Sequence, residues 1–302
     1  MGTGGVPRVG LATVGWAPTR GGFGREGLEC EAAVAVRHLS LNTNRLLAFV
    51  EDGVGWMVFN NPERLNAVNF AMKREIPGII EGFDADDEVR VVVIAGAGER
   101  AFVSGADVTE FGELRSTPEA IRVYDEVTER MWESLEQLSK PLIAMVRGFA
   151  LGGGLETALR ADLRIAAENA EFGIPAAKIG LGLSFENTDE LMRVIGPTHA
   201  ADLLLTGRRM PAGEALSCGL VNRVVSLEEI EGVVRELAAE IASNAPLAVR
   251  QLKANMRASQ LPAAERDRAR LDALEAECYA SEDYAEGRRA LSEKRQPRFT
   301  GR

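Results

Sequence analysis

The sequence predicts an α/β protein with a largely parallel sheet, followed by a helical C-terminal region. Short apolar runs alternate with amphipathic stretches between Leu46 and Ala167, the pattern of repeated strand–helix crossovers. Two glycine-rich loops each follow one of those apolar runs. From Ala200 onward only helical periodicity remains.

The elements follow in order. Leu46 to Val50 and Gly55 to Phe59 read as two strands around the turn Glu51-Asp52-Gly53. After Asn60-Asn61-Pro62 a helical pattern runs from about Asn69 to Phe83, and Pro77 inside it is expected to kink or split the helix. Val89 to Ala95 is a continuous apolar run, as in a strand buried on both faces. Gly96 to Ser104 reads as a loop, with a helix starting near Ala106. Thr117 caps a long amphipathic helix that has Pro118 in its first turn and ends at Leu138, before Lys140-Pro141. Leu142 to Val146 is another buried strand, Gly148 to Gly154 a loop, Leu155 to Ala161 a helix, and Leu163 to Ala167 a strand. Helices then cover Ala200 to Leu204, Ala212 to Cys218, Leu227 to Asn244, Pro246 to Ser259 and Ala263 to Ala280. This organisation gives a core over residues 45–225 and a helical region over 226–302. Residues 1–44, with Gly-rich stretches and Arg8, Arg20 and Arg25, are expected to be a disordered extension rather than a transit peptide.

Composition narrows the function. A chain of 302 residues, 46% hydrophobic, fits one large domain with an appendage or two small domains. Its formal net charge of −10 repels phosphate backbones, which argues against a nucleic-acid partner. No apolar run reaches the roughly 18 residues that cross a bilayer, so no membrane partner is expected. Cys30, Cys218 and Cys278 are scattered without metal-ligand or disulfide spacing, which suits a reduced, cytoplasmic setting. With His38 and His199 as the sole imidazoles, a Ser-His-Asp relay or a multi-histidine metal site has no suitable residues.

The chemistry therefore rests on the glycine loops, Ala101-Phe102-Val103-Ser104-Gly105-Ala106-Asp107 and Gly148 to Glu156. Each runs toward a helix, where free backbone N–H groups can face an anion. Two such groups converging on one oxygen make an oxyanion hole. Gly96-Ala97-Gly98-Glu99-Arg100-Ala101 also matches the GxGxxA dinucleotide pattern after a strand. The pattern needs a helix to begin within the glycines, and here a second loop follows instead, so a nicotinamide site is not expected.

On these residues the chain from about Leu46 to Arg302 resembles the crotonase, or enoyl-CoA hydratase/isomerase, superfamily. The matching stretches are Asn61-Pro62-Glu63-Arg64-Leu65-Asn66-Ala67, the two glycine loops, Phe172-Gly173-Ile174-Pro175, Leu205-Thr206-Gly207, Gly219-Leu220-Val221-Asn222 with Ala215, and Glu293-Lys294-Arg295. The resemblance implies a ClpP/crotonase-like spiral of ββα units with a helical C-terminal trimerisation region. It also implies a homotrimer or a hexamer of two trimers, an acyl-CoA thioester as substrate, and no metal or redox cofactor beyond the coenzyme A of that substrate.

In the same reading Ala106 and Gly153 supply the two N–H donors to the thioester oxygen. Arg64, Leu65 and Ala67, with Gly105, Asp107 and Val108, cradle the CoA, and Lys294, in a helix near the end, approaches its phosphates. Family hydratases use two glutamates; the first is present as Glu156, but the second position holds Ala176, whose methyl group cannot move a proton. Glu156 could act alone, as suits isomerisation, hydrolysis or carbon–carbon cleavage, or Glu186 could reach back into the pocket. Glu186 is equally readable as a solvated cap, Glu156 as a carboxylate that suits a helix N-terminus, and Asp107 as the cap of the helix it opens. Tyr124, in the helix that lids such pockets, is a further candidate. A fold retained for CoA binding without chemistry is the third reading.

Overall fold

The computed structural model describes residues 36–302. The extension through residue 35, with Cys30 and the three arginines, lies outside them. The described chain opens with β1 (Arg37–His38), β2 (Leu46–Glu51), β3 (Val54–Phe59) and α1 (Phe70–Ala85). Regular structure is present upstream of Arg45: β1 pairs antiparallel with β2, Arg37 opposite Val50. Next come β4 (Val91–Gly96), β5 (Ala101–Val103), α2 (Phe111–Leu114) and α3 (Pro118–Gln137), then β6 (Leu142–Val146), β7 (Phe149–Leu151) and α4 (Gly153–Leu159). The last core elements are β8 (Leu163–Ala167), β9 (Glu171–Gly173), α5 (Phe185–Thr206), β10 (Met210–Pro211), α6 (Ala212–Ser217) and β11 (Arg223–Val225). Four helices finish the chain: α7 (Ile230–Ala242), α8 (Pro246–Gln260), α9 (Arg268–Ala280) and α10 (Glu282–Glu293).

The strands form a seven-stranded sheet, β1-β2-β3-β4-β6-β8-β11, and a four-stranded sheet, β10-β9-β7-β5. Each turn of chain lays one strand in the first sheet and the next in the second: β4 then β5, β6 then β7, β8 then β9. Within both sheets these successive strands run parallel. This is a spiral of ββα units, as the resemblance implies. Two stretches read as loops, Gly96 to Ser104 and Gly148 to Gly154, in fact contain β5 and β7. Three-residue strands are too short to leave a period in the sequence.

The apolar runs become β4 and β6, buried along their whole length. Helix α1 turns Met72, Ile76, Ile79, Ile80 and Phe83 into the core. It runs unbroken through Pro77, which is itself buried. Burial of this face outweighs the one ladder bond that a proline cannot make. Thr117 caps α3 as expected, accepting from the Ala120 amide. Asn69 caps α1 in the same way through Met72. Gly196 leaves helical geometry inside α5, so His199 sits in a second segment starting after Gly196-Pro197. The His199 ring reaches back across the kink to the Ile195 carbonyl, and His38 lies exposed beside Phe49. Among the described residues no helix is long and apolar enough to cross a membrane, and no cluster of His, Cys, Asp and Glu is arranged to hold a metal.

Candidate active site

The first loop is fixed by a buried asparagine. Asn66 accepts from the Asn61 amide and donates to the Ala97 and Ala101 carbonyls, at 2.9, 3.0 and 2.7 Å. It holds left-handed backbone, as does Leu65, and the Leu65 carbonyl accepts from Ser104 N–H. The Val68 amide then donates to Gly105 and the Asp107 amide to Val68, both at 2.9 Å. In this parallel bridge residues 105 and 107 face Val68, so the N–H of Ala106 between them faces the other way. Its direction does not come from a helix start: a short 3-10 turn (Val108–Glu110) follows, capped by Asp107 through the Thr109 amide.

The second loop brings α4 in from the opposite side. Gly152 holds positive φ, and its amide donates to Gly173 at 2.8 Å. Gly153 is the first residue of α4, so its N–H has no partner within the helix. A Cβ built on Gly153 would stand 3.9 Å from the Ala106 nitrogen and 4.0 Å from a Glu156 carboxylate oxygen. The two amides and the carboxylate therefore meet at one place. Gly154 allows the approach, because a Cβ there would overlap the Val103 carbonyl.

These groups line a cavity of about 320 Å³. Its apolar wall includes Met131, Trp132, Ile174, Leu181 and Leu183, and Ala176 stands on the same wall. Its polar wall holds Lys73, Arg115, Tyr124, Asp125 and Thr128. Burial is the main effect raising the Glu156 carboxyl above its ordinary value; Arg160 and Lys73 oppose it and Glu190 adds to it. Arg160 lies behind Glu156, donating to the Glu156 carbonyl at 3.0 Å, pairing with Glu190 at 2.9 Å and stacking over Trp132. Lys73 donates to the Tyr124 hydroxyl at 2.7 Å and to Thr128 at 2.8 Å. Burial, reinforced by repulsion from Arg115, pushes its ammonium down to about 8.

The structure thus brings together Ala106, Gly153, Glu156, Gly105 and Val108 on one cavity. Arg64, Leu65, Ala67 and Asp107 flank it in the joined loops, Arg64 lying 3.5 Å from Asp107. Two expected residues are elsewhere. Glu186 is exposed in the first turn of α5 and faces a separate groove beside Arg160 and Glu190, so it does not reach back to Glu156. Lys294 is the exposed left-handed cap after α10 and does not line the cavity. Sequence reasoning missed Lys73 and Arg115. The signal for Lys73 was present: it shares a helix face with Ile76, Pro77 and Ile80, at i+3, i+4 and i+7. The GxGxxA match also has a structural cause. A Cβ on Gly96 would overlap the carbonyls of Ala101 and Phe102, so this glycine lets β5 cross over β4.

Comparison with known proteins agrees with this architecture. The profile of the enoyl-CoA hydratase/isomerase family matches residues 50–302. A short-chain-enoyl-CoA hydratase of Clostridium acetobutylicum is 37% identical over 255 residues, covering 84% of this chain and 97% of the relative. A crotonyl-CoA hydratase of Syntrophomonas wolfei is 38% identical over 253 residues, 82% and 95% of the two chains. The crystal structure of an enoyl-CoA hydratase/carnithine racemase from Magnetospirillum magneticum superposes with a TM-score of 0.81 at 36% identity, covering 86% of this chain and 97% of that one.

Proposed function

The chain belongs to the enoyl-CoA hydratase/isomerase family, and on that premise we propose that it binds an acyl-CoA thioester and moves a proton at the acyl carbons through Glu156. The observation that carries this is the meeting of the Ala106 and Gly153 backbones beside that carboxylate. Moving a proton next to a thioester builds negative charge on its oxygen, and two preorganised N–H donors stabilise that charge. Deletion of one such donor in comparable sites costs about 3–4 kcal/mol. Hydration is feasible with one carboxylate: Glu156 takes a proton from water as its oxygen bonds to Cβ, then returns that proton to Cα. Coenzyme A arrives with the substrate, and no metal or redox group takes part.

Glu156→Gln tests the assignment against a panel of enoyl-, hydroxyacyl- and oxoacyl-CoA esters. Turnover is expected to fall by roughly 10²–10⁴, the usual weight of one acid–base group. Undiminished turnover removes Glu156 from the mechanism. Ala176 on the cavity wall supports a second reading: double-bond isomerisation, thioester hydrolysis or carbon–carbon cleavage, each workable with one carboxylate. Mass spectrometry separates these from hydration by product. Tight calorimetric binding with no product from any ester would leave a CoA-binding protein without chemistry. We also propose a homotrimer or a hexamer of two trimers, for which the exposed apolar side chains of the C-terminal helices provide a surface.

A further inference from the structure

We propose that the cavity selects an acyl group carrying a carboxylate of its own, bound between Lys73 and Arg115. The inference rests on the acyl-CoA reading and names the substrate class within it. Lys73 is 5% exposed, and its ammonium is a triple donor. Two of its hydrogens go to neutral hydroxyls, Tyr124 and Thr128, and among the described residues no carboxylate ion-pairs with it. Its nitrogen also stands 4.0 Å from the centre of the Tyr124 ring.

The Arg115 guanidinium also packs on this tyrosine, 4.7 Å from the Tyr124 and Phe111 ring centres. Its Nε is buried without a hydrogen-bond partner. Its ion pair with Asp125 is long, 3.9 Å, and the Asp125 side chain is more than half exposed. The other carboxylates facing Lys73 have different employment: Glu110 accepts from the Phe70 amide at 2.8 Å, and Glu156 lies beside the oxyanion amides.

Two cations therefore pack on one tyrosine inside a substrate cavity, and among the described residues neither has a carboxylate oxygen closer than the 3.9 Å contact of Arg115 with Asp125. A plain alkyl chain would cover these donors without replacing the water that served them, leaving charge buried and unpaired. A neutral hydroxyl or ketone on the acyl chain would accept one hydrogen but would not relieve the repulsion between Lys73 and Arg115. A carboxylate does both, through charge-assisted bonds.

The test compares two chain-length-matched esters on the wild-type protein: the mono-CoA thioester of a trans-2-enedioic acid and the corresponding trans-2-enoyl-CoA. The dicarboxylic ester is expected to have the higher kcat/KM by at least about tenfold, the scale of one lost bond to a charged group. Lys73→Met and Arg115→Gln should each reduce that ratio by a similar factor, through KM for the dicarboxylic ester. Arg115 is the more exposed of the two, so Arg115→Gln gives a reading even where Lys73→Met fails to fold. Equal or better turnover of the plain enoyl ester by wild type overturns the proposal while leaving the acyl-CoA function intact. So does a preference that survives in the folded variants, or a stronger preference for a 5-oxo or 5-hydroxy ester. If neither ester binds by calorimetry, the function itself falls, and the inference with it.

Discussion

At the scale of single residues, Lys73 is the group most at odds with its surroundings. A lysine on the buried face of α1 must either lose its charge or keep it without solvent. The fold pushes it down to about 8, chiefly by burial and by Arg115, while Glu156, Asp125 and Glu110 pull the other way. The neutral form therefore suits the fold. For a group whose folded pKa lies below its ordinary value of 10.5, the associated stability is fully present above that value and is lost as pH falls through about 8. Lys73→Met keeps the side-chain length and removes the charge. It is expected to stabilise the protein by about 1–2 kcal/mol at pH 6, after allowance for the lost bonds to Tyr124 and Thr128. The gain should shrink as pH rises through about 8. Urea midpoints at pH 6 and pH 9.5 measure it, and an equal difference at both would show that the charge is not what destabilises. The same residue marks a limit of sequence reading. Its helical face was legible, but a lysine there also reads as a stem lying along the surface with its head in water. What decides between the two is the depth of the cavity, set by α3 from elsewhere in the chain.

At the scale of elements, the site depends on how closely strands and helices approach. The long elements, β2 to β4, β6, β8 and α3, were legible because their apolar patterns persist for at least five residues. Short β5 and β7 were not, although they lead into the Ala106 and Gly153 amides. Glycine was the visible trace, and its meaning differed by position: at Gly96 it permits a strand crossing, at Gly154 a helix pressed on a strand. The N–H of Ala106 was expected to point outward from a helix start, whereas the bridge to Val68 aims it. Gly154→Ala is expected to force α4 away from β5, costing about 3 kcal/mol or more in chemical denaturation and separating the Ala106 and Gly153 amides. Gly78→Ala, in the interior of α1 with open space around the new methyl, should instead stabilise by about 0.5–1 kcal/mol. Similar losses at both sites would mean that backbone freedom, not contact, governs Gly154.

At the scale of the whole molecule, the spiral core and the C-terminal helices bury their apolar surface differently. Both sheets feed a continuous core, whereas α8 buries Lys253 alone and α9 buries no residue. Yet α8, α9 and α10 present Leu252, Tyr279 and Leu291 at 59%, 62% and 82% exposure. Scattered apolar side chains are common on protein surfaces, but helices with so little core of their own lose their main source of stability. In the proposed assembly further copies of the chain would cover them and supply it; the sequence pattern shows only that the region is helical. Sedimentation equilibrium is therefore expected to give about three or six times the 32.6 kDa chain mass. Leu252→Glu with Tyr279→Glu should lower that mass and make the thermal midpoint depend more steeply on protein concentration. A wild-type protein that sediments as a single chain at micromolar concentration would show that α8 to α10 are stable with their apolar side chains in water. The assembly inferred from them would then be wrong, while the cavity, built from α1, α3, α4 and the two glycine loops of one chain, would stand unchanged.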